Sequence, residues 1–208
     1  RDYYASRGLG DVYKRQFEQL HIPFDPAKPN SEKCNQTILI INGAGGVGSI
    51  ATQLAKLAGL TVISSASRPE SIAWTQQHGA DLVVDHHHDL VSEVHALGIK
   101  DVDYILGLSD LDSHWNEICT LIKPGGHIAS ITENRRPIDL KKLTKKRGTF
   151  AWEWMYSKSY YHTADMISQH DILETIADLL DRGLLQSTLS QTCLLYTSDA
   201  ADEGLGVD

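Results

Sequence analysis

The sequence predicts an α/β fold: a doubly wound, six-stranded parallel sheet with helices on both faces. Three observations predict it. Short β-rich runs alternate with helix-like stretches along most of the chain. Runs such as TILII are continuously apolar, as strands covered on both faces must be. The first strand also leads through three glycines, Gly43, Gly45 and Gly48, directly into a helix-like run. Strict alternation of strand and helix implies parallel strands joined by right-handed crossovers.

The elements follow in order. Thr37 to Asn42 (TILIIN) reads as a buried strand and Gly45 to Ala58 as the helix after it. Leu60 to Ser65 is the second strand, Pro69 to His78 its helix and Asp81 to Asp85 the third strand. Leu90 to Leu97 is helical, and Val102 to Leu106 (VDYIL) is the fourth strand. Asp110 to Ile122 is helical and stops before Pro124-Gly125-Gly126, a turn signal. His127 to Ile131 is the fifth strand and Thr149 to Met155 the sixth. A long amphipathic helix spans Ala164 to Asp181 and ends at Gly183. No internal repeat stands out.

Both ends read as translated sequencing-adaptor DNA. The codons GAT GTG TAT AAG AGA CAG give Asp11 to Gln16, and the same element on the opposite strand gives Cys193 to Ser198. Residues 1–16 and 193–208 are therefore expected to be foreign tails, and 17–192 the genuine domain, large enough for a full core. The whole chain carries 19 basic and 27 acidic side chains, a net −8. Without the tails, 15 basic and 21 acidic groups remain. That balance argues against nucleic acid or an anionic membrane surface as a partner. No apolar run approaches the roughly 20 residues that span a bilayer. Within 17–192 the cysteines are Cys34 and Cys119, far apart and without a CxxC pair, so a disulfide framework is not expected and a cytoplasmic location is.

The chemistry sits in INGAGGVG, Ile41 to Gly48. GxGxxG after a strand and opening a helix, first in a βαβ series, is the dinucleotide fingerprint of a Rossmann fold. Gly43 allows the tight turn, Gly45 lets the backbone approach a pyrophosphate, and Gly48 lets helix and strand pack closely. The helix then offers amide N–H groups and its positive dipole end to phosphate. The absence of a Gly-Lys-Ser/Thr ending excludes a P-loop. An acidic residue at the end of the second strand would bind a ribose 2′-hydroxyl and favour NAD. Here that strand ends in Ser64-Ser65-Ala66-Ser67-Arg68, with no carboxylate before Glu70. Hydroxyls and a guanidinium suit a 2′-phosphate instead. NADPH is therefore the expected cofactor, with Ser67 hydrogen-bonding the phosphate and Arg68 pairing with it.

His86-His87-His88 also needs weighing. Adjacent residues of an extended segment point to opposite sides, so a shared metal is not expected. His86, just past the third strand, is placed against the adenosine end of the cofactor, and His87 and His88 in a solvated loop. The basic run KKLTKKRG, Lys141 to Gly148, reads as a solvated loop or helix end.

The stretch from Leu39 to His86, with LIKPGGHIASI (Leu121 to Ile131) and TFAWEWMYSK (Thr149 to Lys158), resembles the nucleotide-binding domain of the medium-chain dehydrogenase/reductase superfamily. The branch it resembles is the quinone-oxidoreductase-like, zinc-type alcohol dehydrogenase-like one. That resemblance implies an enzyme in which a GroES-like catalytic domain precedes the cofactor domain and NADPH passes hydride to a quinone or an activated carbonyl or alkene. It places Ala44, Gly45, Gly46 and Val47 at the pyrophosphate and Ser67, Arg68 and His86 at the 2′-phosphate. The backbone around Leu108 and Ile131 falls at the nicotinamide end. It implies a small-molecule substrate and a homodimeric parent. By this reading residues 17–30 are the exit segment of a catalytic domain not contained in the chain, where catalytic residues and any zinc ligands would lie, and Leu185 to Thr192 is a strand heading back to it. The chain by itself is then expected to be inactive.

Two other readings compete. Short-chain dehydrogenases share the sheet but need Tyr three residues before Lys, and Tyr156-Ser157-Lys158 has the wrong spacing. A non-catalytic nucleotide-sensing module would bind without turnover.

Overall fold

A computed structural model describes residues 16–25 and 35–189 of the chain. Six parallel strands form one sheet: β1 (Thr37–Ile41), β2 (Thr61–Ser65), β3 (Leu82–Val84), β4 (Val102–Gly107), β5 (Ile122–Ser130) and β6 (Thr149–Trp152). Their spatial order is β3-β2-β1-β4-β5-β6. The helices are α1 (Gly46–Leu57), α2 (Pro69–Gln77), α3 (Leu90–Ala96), α4 (Leu111–Leu121), α5 (Lys141–Thr144), α6 (Ser157–Tyr160) and α7 (Ser168–Asp181). The chain builds outward from β1 to β3, then returns to lay β4 on the other side of β1. That reversal opens a crevice beyond the carboxyl ends of β1 and β4, where such sheets bind ligands.

Alternation along β1 divides the core. Ile38 and Ile40 face a cluster with Ile50, Leu54 and Leu57 of α1 and Ile176 and Leu179 of α7. Leu39 and Ile41 face a second cluster with Leu90 and Val94 of α3 and Trp115 and Ile118 of α4. Successive side chains of a strand point to opposite faces, so one apolar run feeds both layers. Phe17, Leu20 and Ile22 join the first cluster, so residues 16–22 pack as part of this domain. At the opposite end of the sheet Asp103 accepts the Thr37 amide at 2.8 Å and pairs with Lys123. Asp81 likewise accepts the Val62 amide and Lys56 Nζ, each at 2.8 Å.

Four expectations need correction. Pro124-Gly125-Gly126 does not turn the chain before β5; the strand begins at Ile122 and absorbs the extra residues as an irregularity between Val102 and Tyr104 of its neighbour. Gly125 makes this possible at φ +78°, its amide held by the Lys146 carbonyl at 2.7 Å. β6 stops at Trp152, three residues early. The last long helix starts at Ser168, because residues 163–168 form three-residue turns closed by Met166 N to Thr163 O and Ser168 N to Asp165 O. Residues 185–189 are not a strand; Gln186 instead exchanges hydrogen bonds with the side-chain amide of Gln53 on α1, at 2.7 and 3.2 Å. Residues 190–192 of that expected strand lie outside the described residues, as do both tails apart from Gln16, and Cys34.

The basic run splits. Lys141–Thr144 is helical, while Lys146 donates to the Thr120 and Ile122 carbonyls at 2.7 and 2.6 Å, closing the carboxyl end of α4.

Candidate functional site

The turn from β1 into α1 is built on Asn42, which takes the left-handed conformation at φ +66°. Asparagine tolerates that region better than most residues. Its amide donates to Ser65 Oγ at 2.8 Å, and the Gly43 amide donates to the Ser65 carbonyl at 3.1 Å. The tip of β2 thus holds the turn in place. The three glycines have different reasons to be glycine. A Cβ on Gly43 would sit 1.7 Å from Ser64 Oγ, and one on Gly48 would sit 2.5 Å from the Asn42 carbonyl oxygen and the Gly43 Cα. Both are demanded by the chain's own packing. A Cβ on Gly45 would meet nothing nearer than the Asn42 side-chain nitrogen at 3.3 Å. Gly45 is the N-cap of α1, where no side chain caps the helix and no acid occupies the first turn. Gly46 is exposed and Val47 half-buried over the first core cluster.

Beside this turn lies a hollow of about 480 Å³, lined by Asn42, Ala44, Gly45, Ala66, Ser67, Arg68, Ser71, His86 and His87. The ends of β1, β2 and β3 meet there. Arg68 is the N-cap of α2, with Pro69 fixing the first helical residue, and it projects from the surface rather than packing inward. The structure therefore brings Ala44, Gly45, Ser67, Arg68 and His86 to one cavity. Gly43 and Gly48 are buried inside the turn itself.

Leu108 and Ile131 lie further along the crevice, past the ends of β4 and β5. Their amides donate to Ile41 and Gly107 carbonyls at 3.3 and 3.4 Å. Leu108 is in the first core cluster and Ile131 packs against it. Ile131 also lines a second hollow of about 530 Å³, with Thr132, Glu133, Asn134, Trp152, Glu153 and Trp154. The loop forming one wall is pinned to α4, because Asp112 accepts Asn134 Nδ2 at 3.1 Å and the Arg135 amide at 2.7 Å. Those bonds hold the Asp112 carboxyl below its usual range.

The histidine run departs from expectation. Residues 86–87 turn rather than extend, with the His87 amide on Asp85 Oδ1 at 2.9 Å and the His88 amide on the Asp85 carbonyl at 3.2 Å. His86 and His87 consequently lie on the same side, ring centroids 4.7 Å apart, and both face the first hollow. His87 is therefore not merely a loop residue. Among the described residues no group of three or more His, Cys, Asp or Glu side chains is placed to hold a metal ion.

Sequence reasoning missed Asn42, Ala66, Ser71 and His87 in the first hollow and the residues joining Ile131 in the second. Ser71 had a signal, since it follows Arg68 at the three-residue spacing that places side chains together at a helix start. The second hollow had none, because its walls come from the separate ends of β5 and β6.

A family model described as zinc-binding dehydrogenase matches residues 46–169. A zinc-type alcohol dehydrogenase-like protein of Staphylococcus aureus is 43% identical over 180 residues, covering 86% of this chain and 52% of its own. A protein of the same description from Staphylococcus epidermidis is 42% identical over 175 residues, covering 84% and 52%. The chain thus spans about half the length of the curated relatives it matches. Among solved structures, a candidate zinc-dependent alcohol dehydrogenase from Rhizobium etli superposes with a TM-score of 0.77 at 33% identity, over 95% of this chain and 58% of that one. The quinone oxidoreductase of Thermus thermophilus, also solved with NADPH, shares the fold at a TM-score of 0.70 and 20% identity, over 94% and 59%. The zinc of the family name has no ligand set among the described residues. With fold, glycine turn and relatives in agreement, this chain belongs to the zinc-binding dehydrogenase family of oxidoreductases, and it corresponds to the cofactor domain of the medium-chain dehydrogenase/reductase superfamily.

Proposed function

We propose that the chain is the NADPH-binding part of a reductase that passes hydride to a quinone or an activated carbonyl or alkene. The observation that carries this reading is Gly45. A Cβ there would press only on the end of the Asn42 side chain, at 3.3 Å, which has to give by a few tenths of an ångström; packing therefore demands this glycine far less than Gly43 or Gly48, whereas a pyrophosphate lying against the backbone accounts for it. The uncapped start of α1 beside it supplies amide donors and a positive dipole end. Gly46 and Val47 on the first helical turn, and Ala44 before it, complete that cradle.

Ser67 and Arg68 take the 2′-phosphate, and His86 flanks it. No carboxylate lines that hollow, so nothing there opposes a dianion. The backbone at Leu108 and the partly exposed Ile131 line the nicotinamide end, where an apolar side chain keeps water from the reacting carbon. NADPH supplies the hydride when bound; these residues bind, orient and exclude solvent. The substrate is a small molecule held between this domain and a GroES-like one, and the working enzyme is a cytoplasmic homodimer. Support for the dimer comes from β6, which among the described residues pairs with β5 on one side only, and from the half-exposed Trp152 at its end and Trp154 just beyond it.

The test is a calorimetric titration of the chain with NADP⁺ and NAD⁺. NADP⁺ should bind more tightly, and Arg68→Ala should remove about 1.5–3 kcal/mol, roughly 10- to 150-fold, from NADP⁺ alone. Equal weakening of both cofactors, or no binding of either, overturns the reading.

A further inference from the structure

The turn at 86–87 puts two imidazoles where one was expected. His86 is half-buried, and its Nδ1 lies 3.4 Å from Ser65 Oγ. That hydroxyl already accepts the Asn42 amide, so its own proton is available to His86 Nδ1. The neutral ring then carries its proton on Nε2. Ser65 thereby joins the histidine to the same turn that supports Gly45.

The charges around His86 are mixed. Arg68 lines the same hollow, and His87 is the adjacent ring. Asp85 is the one nearby carboxylate on its own segment, but it is occupied by the His87 amide and lies 3.6 Å from His87 Nδ1. His114 of α4, which does not line the hollow but lies near enough to act on the His86 charge, is paired with Glu117 at 2.6 Å. Glu93 of α3 is turned to His88 and the Asp85 amide, each at 3.3 Å. Burial first, then His87, hold the His86 ring below the usual imidazole range, with Asp85 opposing and His114 adding to the fall. A neutral imidazole is what such a site favours until an anion arrives. A phosphate dianion set against it reverses that balance, because an opposite charge a few ångströms away favours the protonated ring.

We propose that His86, backed by His87, is a proton-linked reader of the cofactor's third phosphate: it is neutral in the free protein and takes one proton from solvent when that phosphate settles against Arg68. This rests on the reading that the hollow takes the 2′-phosphate. No covalent bond between heavy atoms changes; one proton moves from water to the ring. The consequence is that preference for NADP⁺ over NAD⁺ rises as pH falls through neutrality. Below about pH 6 the free phosphate takes the proton itself, so the preference passes through a maximum.

The test uses the full chain, labelled with ¹⁵N at histidine, and follows the ring nitrogens of His86 against pH with saturating NADP⁺ or NAD⁺. The His86→Asn variant assigns the resonance. The midpoint of His86 should rise by about one unit, a tenfold effect, with NADP⁺ and stay in place with NAD⁺. As pH falls from about 8 to about 6 the NADP⁺/NAD⁺ affinity ratio should rise about two- to threefold in the native chain, short of the tenfold a one-unit shift alone would give because the free phosphate titrates over part of the same interval, and it should not rise in His86→Asn. If NADP⁺ binds in preference to NAD⁺ while the His86 midpoint stays fixed, the proton link is wrong and the cofactor reading stands. If NADP⁺ does not bind, both fall together. If His86→Asn does not fold, through-bond correlations in the native chain labelled uniformly with ¹³C and ¹⁵N assign the His86 ring, and the native-chain titration still decides.

Discussion

A methyl group added to Gly43 would stand 1.7 Å from the hydroxyl oxygen of Ser64, a side chain with no solvent exposure. Gly43→Ala therefore has to swing the Ser64 hydroxyl aside and ease a 3.0 Å approach to the Ser64 Cβ. Overpacking of this kind costs about 1–3 kcal/mol, and Gly48→Ala should cost at least as much, since its Cβ meets backbone atoms. Both variants should show a lower urea midpoint by circular dichroism. An unchanged midpoint would mean that the turn is not held as described. Among the described residues Ser64 Oγ has no hydrogen-bond partner, so Ser64→Ala should leave stability unchanged or raise it.

Gly45 separates folding from binding. Its added Cβ would press only on the movable amide of Asn42. Gly45→Ala should keep the native melting temperature within a few degrees yet weaken both NADP⁺ and NAD⁺, and Gly45→Val should abolish binding of both. Tight binding by the valine variant would show that no pyrophosphate lies there.

His127 gives a pH dependence of stability. Burial, then the neighbouring His21 ring 5.0 Å away, hold its folded-state pKa below 6.5. A base whose folded pKa is depressed binds fewer protons folded than unfolded in the interval between the two values. Stability is then full above pH 6.5 and falls as pH drops from there toward the folded pKa. His127→Phe should reduce the loss of urea midpoint over that interval, the remainder coming from His86, whose ring is depressed in the same direction. An equal acid loss in the variant would assign it elsewhere.

Cys119 is buried, and burial pushes its thiol up to about 11 from 9.0. The thiolate is the reactive form, so iodoacetamide at pH 8 should label Cys119 only after unfolding, as peptide mass spectrometry would show. Stability should also decline as pH rises from 9.0 toward 11, because only the unfolded thiol ionises there. Rapid labelling of the native chain would contradict the burial.

The open edge of β6 predicts self-association. A second copy pairing there would bury Trp152 and Trp154. Trp154→Lys should shift the species seen by light scattering from dimer to monomer. A native chain that is monomeric at all accessible concentrations would reject the pairing.

Much of this was legible in one dimension. Continuous apolar runs and the glycine spacing are local signals, and they indicated a parallel α/β sheet, the β1–α1 turn and the absence of a carboxylate at the end of β2. They carried Ser67, Arg68 and His86 to one place, because residues at the tips of adjacent parallel strands must meet. Folding in three dimensions settled what depends on partners distant along the chain. Pro124-Gly125-Gly126 looked like a turn, yet the ladder to β4 and the Lys146 carbonyl draw it into β5 as a bulge. His86 and His87 share one side because Asp85 accepts the His87 and His88 amides and turns the backbone there. Gly43 and Gly48 are required by β2 and the turn, while Gly45 is not, a distinction that exists only where separate segments come within van der Waals reach.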